Sequence, residues 1–195
     1  KDHTLLKKKI NTLPAWITMV VIIALDQITK ALTRKHLYLG ESIDVWGSFL
    51  RFTHLQNTGA AFSLSLPNES YNRIFFILTS ILAIALIIYL LFRATHKIQI
   101  WAFGLVLGGA LGNLIDRIIR GGVTDFIDFD IPDMLGMQRF PVFNVADSAI
   151  FIGMTLLIID MLFISGRQKV PEPESMEASG DAPAASQTEE PNHQI

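Results

Sequence analysis

Four long apolar runs constrain this chain more than any other feature of its sequence. Half of its 195 residues are hydrophobic and its mean hydropathy is +0.39, which is too apolar for an ordinary soluble domain. Each run is long enough to cross the hydrocarbon core of a bilayer as a helix. The pattern predicts an all-α membrane protein, a bundle of four transmembrane helices over residues of about 14–32, 74–92, 98–115 and 143–164.

The composition also excludes several classes of site. The chain has no cysteine, which rules out a disulfide framework, a thiol protease and a cysteine-ligated metal centre. Its basic residues are scattered along the chain and are not gathered on one face, so nothing indicates a nucleic-acid partner.

The charges are unevenly distributed: the whole chain has a net charge of -2, but the part that precedes residue 171, here called the body, is basic. Removing the six acids of residues 171–195, which contain no Lys or Arg, leaves 16 basic and 12 acidic residues. A basic membrane body suits anionic lipid headgroups. The acidic tail has almost no large apolar residue, so we expect it to be disordered.

The basic segments of the chain favour one orientation of the bundle over the other. Lys7, Lys8 and Lys9 resemble the start of a signal peptide, but the apolar run that follows is too long and lacks a small-residue cleavage site. The lysines and the loop around Arg93 and Lys97 favour cytoplasmic termini. The polar ends of the first, third and fourth runs then converge on the opposite, extracytoplasmic side.

The segment between the first two runs, residues 37–66, is not a membrane helix because charged residues interrupt it. Aromatic and β-favouring residues over 49–57, a turn signal at 57–59 and a second alternating stretch at 60–66 predict a small hairpin or curled sheet. We expect this extramembrane β-cradle to rest on the helix ends. His54, a lone histidine in a strand, is interpreted as structural.

Polar residues sit at the ends of the first and third runs. Asp26 and Lys30 are four residues apart and predict an ion pair on one helix face. That pair either neutralises itself near the headgroups or forms a polar anchor facing a site. In the third run, Gly104, Gly108 and Gly112 recur at intervals of four, which lets another helix approach closely. Asn113 shares a face with Arg117, and Asp116 shares one with Arg120.

The aspartates near the fourth run are the main functional signal. Residues 123–131 alternate, which places Asp125 on the apolar face of an extended segment and turns Asp128 and Asp130 towards water. Asp147 lies in the first turn of the fourth helix, where the helix dipole favours a carboxylate. Asn144 shares its face and can cap the helix. Asp160, near the other end, is expected to be an interfacial residue without an obvious partner.

Asp125 and Asp147 together suit aspartic proteolysis. Two carboxylates in a poorly hydrated site share a proton, so one can activate water while the other polarises the scissile carbonyl. Other interpretations remain open at this point. Asp147 can be a helix-start acid alone, the acids can form a transporter's proton relay, clustered aspartates can bind Mg²⁺ or Mn²⁺, or the protein can be purely structural.

Five segments, taken together and in order across four spans, closely resemble the lipoprotein signal peptidase (signal peptidase II) family of bacterial intramembrane aspartic proteases. The similarity covers about residues 10–166. The segments are DQITK (26–30), NTGAAFS (57–63), GGALGNLIDR (108–117), VTDF (123–126) and FNVADS (143–148).

The resemblance implies a catalytic dyad of Asp125 and Asp147, with neither cofactor nor metal. It also implies a prolipoprotein substrate that already carries a diacylglyceryl group, cleaved just before its lipid-modified lipobox cysteine, and inhibition by globomycin-type peptide antibiotics. The protein would lie in the bacterial plasma (inner) membrane with both termini cytoplasmic. Substrate-binding or positioning roles would fall on Asp26, Lys30, Asn57, Gly108, Asn113, Arg117 and Asn144.

These inferences divide the chain into three parts. Residues 1–13 form a cytoplasmic segment, 14–166 form the transmembrane catalytic domain with the β-cradle, and 167–195 form the acidic cytoplasmic tail. The site is expected to face the extracytoplasmic side.

Overall fold

The computed structural model describes residues 10–47, 49–59, 69–130 and 140–164. Within these ranges four helices are long and apolar enough to span a membrane, which confirms the predicted bundle. The first three extend beyond their apolar runs at both ends, whereas the fourth begins two residues inside its run. They are α1 (Leu13–His36), α2 (Glu69–Arg93), α3 (Lys97–Arg120) and α4 (Val145–Ile159), the last continuing as a π-helical turn, Asp160–Ile164.

Helix α3 is the centre of the bundle, and most of its span is buried, whereas the other three helices expose apolar faces suited to lipid. The predicted glycine stripe explains its close packing against α1. A Cβ on Gly104 would lie 2.7 Å from the Ala15 carbonyl oxygen, and one on Gly112 would lie 2.5 Å from Asp26 Oδ2. The two helices therefore pack at a distance that larger residues would prevent.

Three antiparallel strands form a small sheet at the end of the bundle. They are β1 (Ser42–Trp46), β2 (Leu50–Asn57) and β3 (Val123–Phe129), in the order β1-β2-β3. Strand β2 confirms the strand predicted over 49–57. Its hairpin partner β1 lies within the predicted cradle, but it precedes β2 instead of following it, and the alternating stretch 60–66 lies outside the described residues. The third strand comes from beyond α3, after a sharp exit at Gly121, which has a φ of +80°. Asp125 therefore belongs to the cradle itself.

The prediction that Asp128 faces water is wrong. Its side chain is buried, accepts a hydrogen bond from the Thr53 hydroxyl and lies 3.7 Å from Nε of Arg51. Alternation suggested that this face of β3 meets water, but side chains of the neighbouring strand β2, Thr53 and Arg51, contact the carboxylate there. Asp130, beyond the end of the strand, is exposed as expected.

The expectation that Asp160 lacks a partner is also wrong. It is buried at the other end of the bundle, where Nε2 of Gln99 donates to it at 2.6 Å and His96 Nδ1 lies 2.8 Å away. Both partners come from the start of α3. The spacing of residues within α4 cannot predict a contact with a different helix. His54, as interpreted, is structural, and its Nδ1 lies 3.0 Å from the Leu37 carbonyl oxygen.

Candidate active site

Asp125 and Asp147 approach each other through the geometry of Asn144. This residue is the N-cap of α4, and its Oδ1 accepts a hydrogen bond from the backbone N–H of Asp147 at 2.9 Å. Its Nδ2 donates to Asp125 Oδ1 at 2.7 Å, while its own backbone N–H donates to Asp147 Oδ2 at 3.2 Å. One residue thus contacts both carboxylates and fixes their relative position.

Asn113 forms a second link from the side of α3. Its Nδ2 donates to Asp147 Oδ1 at 2.8 Å. Its Oδ1 accepts from Lys30 Nζ at 2.9 Å and from Asn144 Nδ2 at 3.3 Å. Its amide oxygen faces donors and its amide nitrogen faces a carboxylate. Of the two flipped orientations of the amide, only this one satisfies all of these hydrogen bonds.

Asn57 completes the shell around Asp125 from strand β2. Its Nδ2 donates to Asp125 Oδ2 at 3.1 Å, and its Oδ1 accepts from the Gly59 backbone N–H at 3.0 Å. The two oxygens of Asp125 are therefore held by two different asparagines, one from the sheet and one from α4.

The pair Asp26–Lys30 is a buried anchor behind these residues. Lys30 Nζ lies 2.8 Å from Asp26 Oδ2 and 3.4 Å from Asp116 Oδ2, and none of the three side chains is exposed. The other oxygen of Asp26 accepts from the backbone N–H of Ala146 at 3.0 Å, in the first turn of α4. The pair therefore joins α1, α3 and α4, and it does not simply neutralise itself at the headgroups.

Two other predicted site residues occupy different surroundings. The Arg117 guanidinium lies 5.3 Å from the ring centre of Phe76, and its charge acts on both Asp147 and Asp125. Gly108 packs against Ile22 of α1, where a Cβ would lie 2.6 Å from that side chain's Cβ. The structure thus places Gly108 in a helix contact and does not bring it to the carboxylates.

Burial raises the pKa of Asp125 from its ordinary 3.8 to about 6, and the neighbouring charge of Asp147 adds to the rise. The hydrogen bonds from Asn144 and Asn57 oppose this rise because they stabilise the ionised carboxylate. Asp125 can therefore hold a proton in mildly acidic conditions where an ordinary aspartate has lost it. This property suits one member of an acid–base pair.

Sequence reasoning missed the structural role of Asp116. Besides Lys30, its Oδ2 contacts the backbone N–H of Thr124 at 3.0 Å, which fixes the start of β3 one residue before Asp125. Arg34 of α1 adds a hydrogen bond of 2.9 Å to the Thr124 hydroxyl. The spacing of four from Gly112 was the available signal, because it puts Asp116 on the helix face that meets α1.

Among the residues that the structure describes, no group of three or more His, Cys, Asp or Glu side chains is arranged to hold a metal ion.

The signal peptidase (SPase) II family model matches residues 18–163, which is most of the chain. The chain belongs to the signal peptidase II family. Among similar relatives, a lipoprotein signal peptidase of Halalkalibacterium halodurans is 42% identical over 148 residues, which are 75% of this chain and 90% of the relative. Another, from Francisella tularensis subsp. novicida, is 43% identical over 151 residues, with coverage of 76% and 91%.

The fold is similar to that of solved bacterial membrane enzymes. A solved bacterial membrane enzyme structure aligns with a TM-score of 0.73 at 31% identity, covering 86% of this chain and 98% of the other. A second such structure aligns with a TM-score of 0.70 at 33% identity and covers 82% and 99%. The resemblance of the five segments is thereby confirmed, and the range matched by the family model contains every predicted site residue.

Proposed function

We propose that this chain is a membrane aspartic endopeptidase that removes the signal peptide from diacylglyceryl-modified prolipoproteins, cleaving just before the lipid-modified lipobox cysteine. Asp125 and Asp147 form its catalytic dyad. The observation that carries this proposal is the double contact of Asn144, which holds one carboxylate by its side chain and the other by its backbone.

The reaction needs one ionised and one protonated carboxyl. The ionised member takes a proton from a water molecule, whose oxygen attacks the scissile carbonyl carbon while the protonated member donates a hydrogen bond to the carbonyl oxygen. The tetrahedral intermediate collapses when a proton passes to the departing amine. The shared proton belongs to the pair, and the raised pKa of Asp125 keeps a proton available to it.

The surrounding residues act by positioning. Asn144, Asn113 and Asn57 donate to the carboxylates and orient the lone pairs that receive protons. Lys30 holds Asn113 from behind, and because it is fully buried it acts without touching substrate. The positive charge of Arg117 acts on both carboxylates and favours the ionised member of the pair.

The proposed setting is the bacterial plasma (inner) membrane. Both termini face the cytoplasm, and the dyad lies at the extracytoplasmic end, where α1 and α3 end and α4 begins. The β1–β2 hairpin exposes large apolar side chains such as Trp46 and Val45, which suit the headgroup region and an acylated substrate. Globomycin-type peptides would occupy the same place as substrate.

The test is a peptidase assay with purified full-length protein and a diacylated prolipoprotein. Asp125→Asn and Asp147→Asn should each lower turnover by about 10²- to 10⁴-fold or more, because each removes a proton carrier. Asp130→Asn, an exposed position two residues beyond Asp128, is the matched control and should retain turnover. Near-normal turnover by either dyad variant would refute the assignment, and loss of turnover in EDTA would point to a metal hydrolase.

A further inference from the structure

A cavity that is distinct from the dyad lies beside the end of β2. It has a volume of about 380 Å³, and its described lining consists of Gln56, Thr58, Ser70, Arg73, Arg120 and Gly121. Successive side chains of an extended segment point to opposite sides. Asn57 therefore faces Asp125 while its two neighbours in sequence face this cavity.

The cavity is polar and positively charged. Its described lining contains two arginines and no acidic residue. The Asp116 carboxylate is the acid near Arg120, at 3.8 Å, but the same oxygen also serves Arg34 at 3.9 Å. The single negative charge of Asp116 is shared between Arg120 and Arg34, and Arg73 adds a further positive charge to the lining. The cavity therefore has an excess of positive charge, which favours binding of an anion.

Arg73 is pre-organised for such a ligand. Its Nε donates to the Arg117 carbonyl oxygen at 3.0 Å, and its Nη2 donates to that of Ile118 at 2.6 Å. These bonds fix the guanidinium plane across the end of α3 and leave Nη1 beside Gly121. A Cβ built on Gly121 would lie 3.8 Å from this nitrogen. Nη1 therefore borders the cavity with little rotamer freedom left to lose on binding.

The position in the membrane indicates where the anion comes from. Arg73 lies in the first turns of α2 and Arg120 ends α3, so both lie at the extracytoplasmic headgroup level of their spans. Three isoleucines that lie next to these arginines along the helices are at least half exposed: Ile74, Ile118 and Ile119. This arrangement places an apolar surface for an acyl chain below two cationic groups that match a phosphate.

We propose that this cavity binds a phosphate group, supplied by the headgroup of an anionic phospholipid whose acyl chain lies along Ile118 and Ile119. Arg73 and Arg120 would hold the phosphate oxygens, and Gln56, Thr58 and Ser70 would line the polar remainder of the headgroup. Such a lipid would rest against the two residues that flank Asn57.

The test is native mass spectrometry of the full chain in neutral detergent, titrated with dioleoylphosphatidylglycerol. We expect a saturable one-to-one adduct that weakens about fivefold in Arg73→Gln or Arg120→Gln and about 25-fold in the double variant. Arg93→Gln is the matched control, an exposed arginine at the far end of α2, and should bind normally. Thr58→Phe, which fills the cavity without removing charge, should also weaken the adduct.

Two further arms identify the source of the phosphate. Dioleoylglycerol, which has the same chains and no phosphate, should give no saturable adduct. Inorganic phosphate should compete weakly if the acyl chain contributes, whereas equally strong binding of inorganic phosphate would assign the cavity to a free anion and overturn the lipid. Equal adducts in wild type and the double variant, or equal weakening by Arg93→Gln, would overturn the site.

Discussion

Replacing Asp125 with asparagine should stabilise the protein at neutral and alkaline pH while it abolishes cleavage. The wild-type carboxyl is buried beside Asp147, and both conditions disfavour its ionised form. An amide of the same shape has no charge to desolvate. A residue kept for its chemistry at the expense of stability is typical of an active site.

The structure sets the size of this effect. A rise of the Asp125 pKa from 3.8 to about 6 corresponds to about 3 kcal/mol against the ionised form. The amide, however, presents one N–H₂ to a shell in which both Asn144 and Asn57 donate. One of these hydrogen bonds is lost, at a cost of about 1 kcal/mol. The expected net gain in the free energy of unfolding is about 2 kcal/mol.

The sign of the pH dependence follows from the raised pKa. As pH rises from about 4 to about 6, the unfolded chain ionises Asp125 while the folded protein keeps it protonated, so wild-type stability falls across this window. Above it the loss is complete and constant. The advantage of Asp125→Asn should therefore be absent at about pH 4 and fully developed at about pH 8.

Reversible unfolding in mixed micelles titrated with SDS, followed by tryptophan fluorescence, measures this difference. Asp130→Asn is the control, because its exposed carboxyl should change stability by no more than about 0.5 kcal/mol. An Asp125→Asn variant less stable than wild type at about pH 8, or an advantage that does not change with pH, would refute the linkage argument.

Three further variants test the surroundings of the dyad. Gly112→Ala should cost about 1–3 kcal/mol and lower kcat, because its Cβ would lie 2.5 Å from Asp26 Oδ2; unchanged turnover would show that the anchor does not position the site. Asp128→Asn should lose about 1–3 kcal/mol of stability yet retain most turnover, measured by the same unfolding and peptidase assays; a large fall in kcat would contradict it. Asn57→Ala should shift the part of the kcat/KM pH profile that depends on the protonation of Asp125 to higher pH, because it removes a hydrogen bond that lowers the pKa of Asp125. An unchanged pH profile would contradict this prediction.

The sequence predicted the features that depend on local patterns. Hydrophobic length specifies the four spans, and the glycine interval specifies a close helix contact on α3, which the structure shows to be with α1. The position of Asn144 three residues before Asp147 specifies the helix cap. Each depends on residues that are close along the chain, so the periodicity of a helix is enough to find them.

Long-range pairings explain what the sequence did not predict. The buried Asp128 pairs in register with Arg51 of β2 and accepts a hydrogen bond from Thr53, 75 residues away. Asp160 meets Gln99 from α3, and Asp116 meets Lys30 from α1. Alternation within a strand cannot reveal what covers its second face, and helix spacing cannot reveal which neighbour a buried acid meets.

The strand pairing between β2 and β3 has a consequence for sequence tolerance. The hairpin is joined to the strand of Asp125 through antiparallel main-chain pairing, which any non-proline residue can make, and the side-chain hydrogen bonds between the described residues of the two come from β2 and not from β1. All five β1 side chains are exposed. The outer surface of the hairpin can therefore change its residues while the register, and with it the contact of Asn57 with Asp125, stays the same.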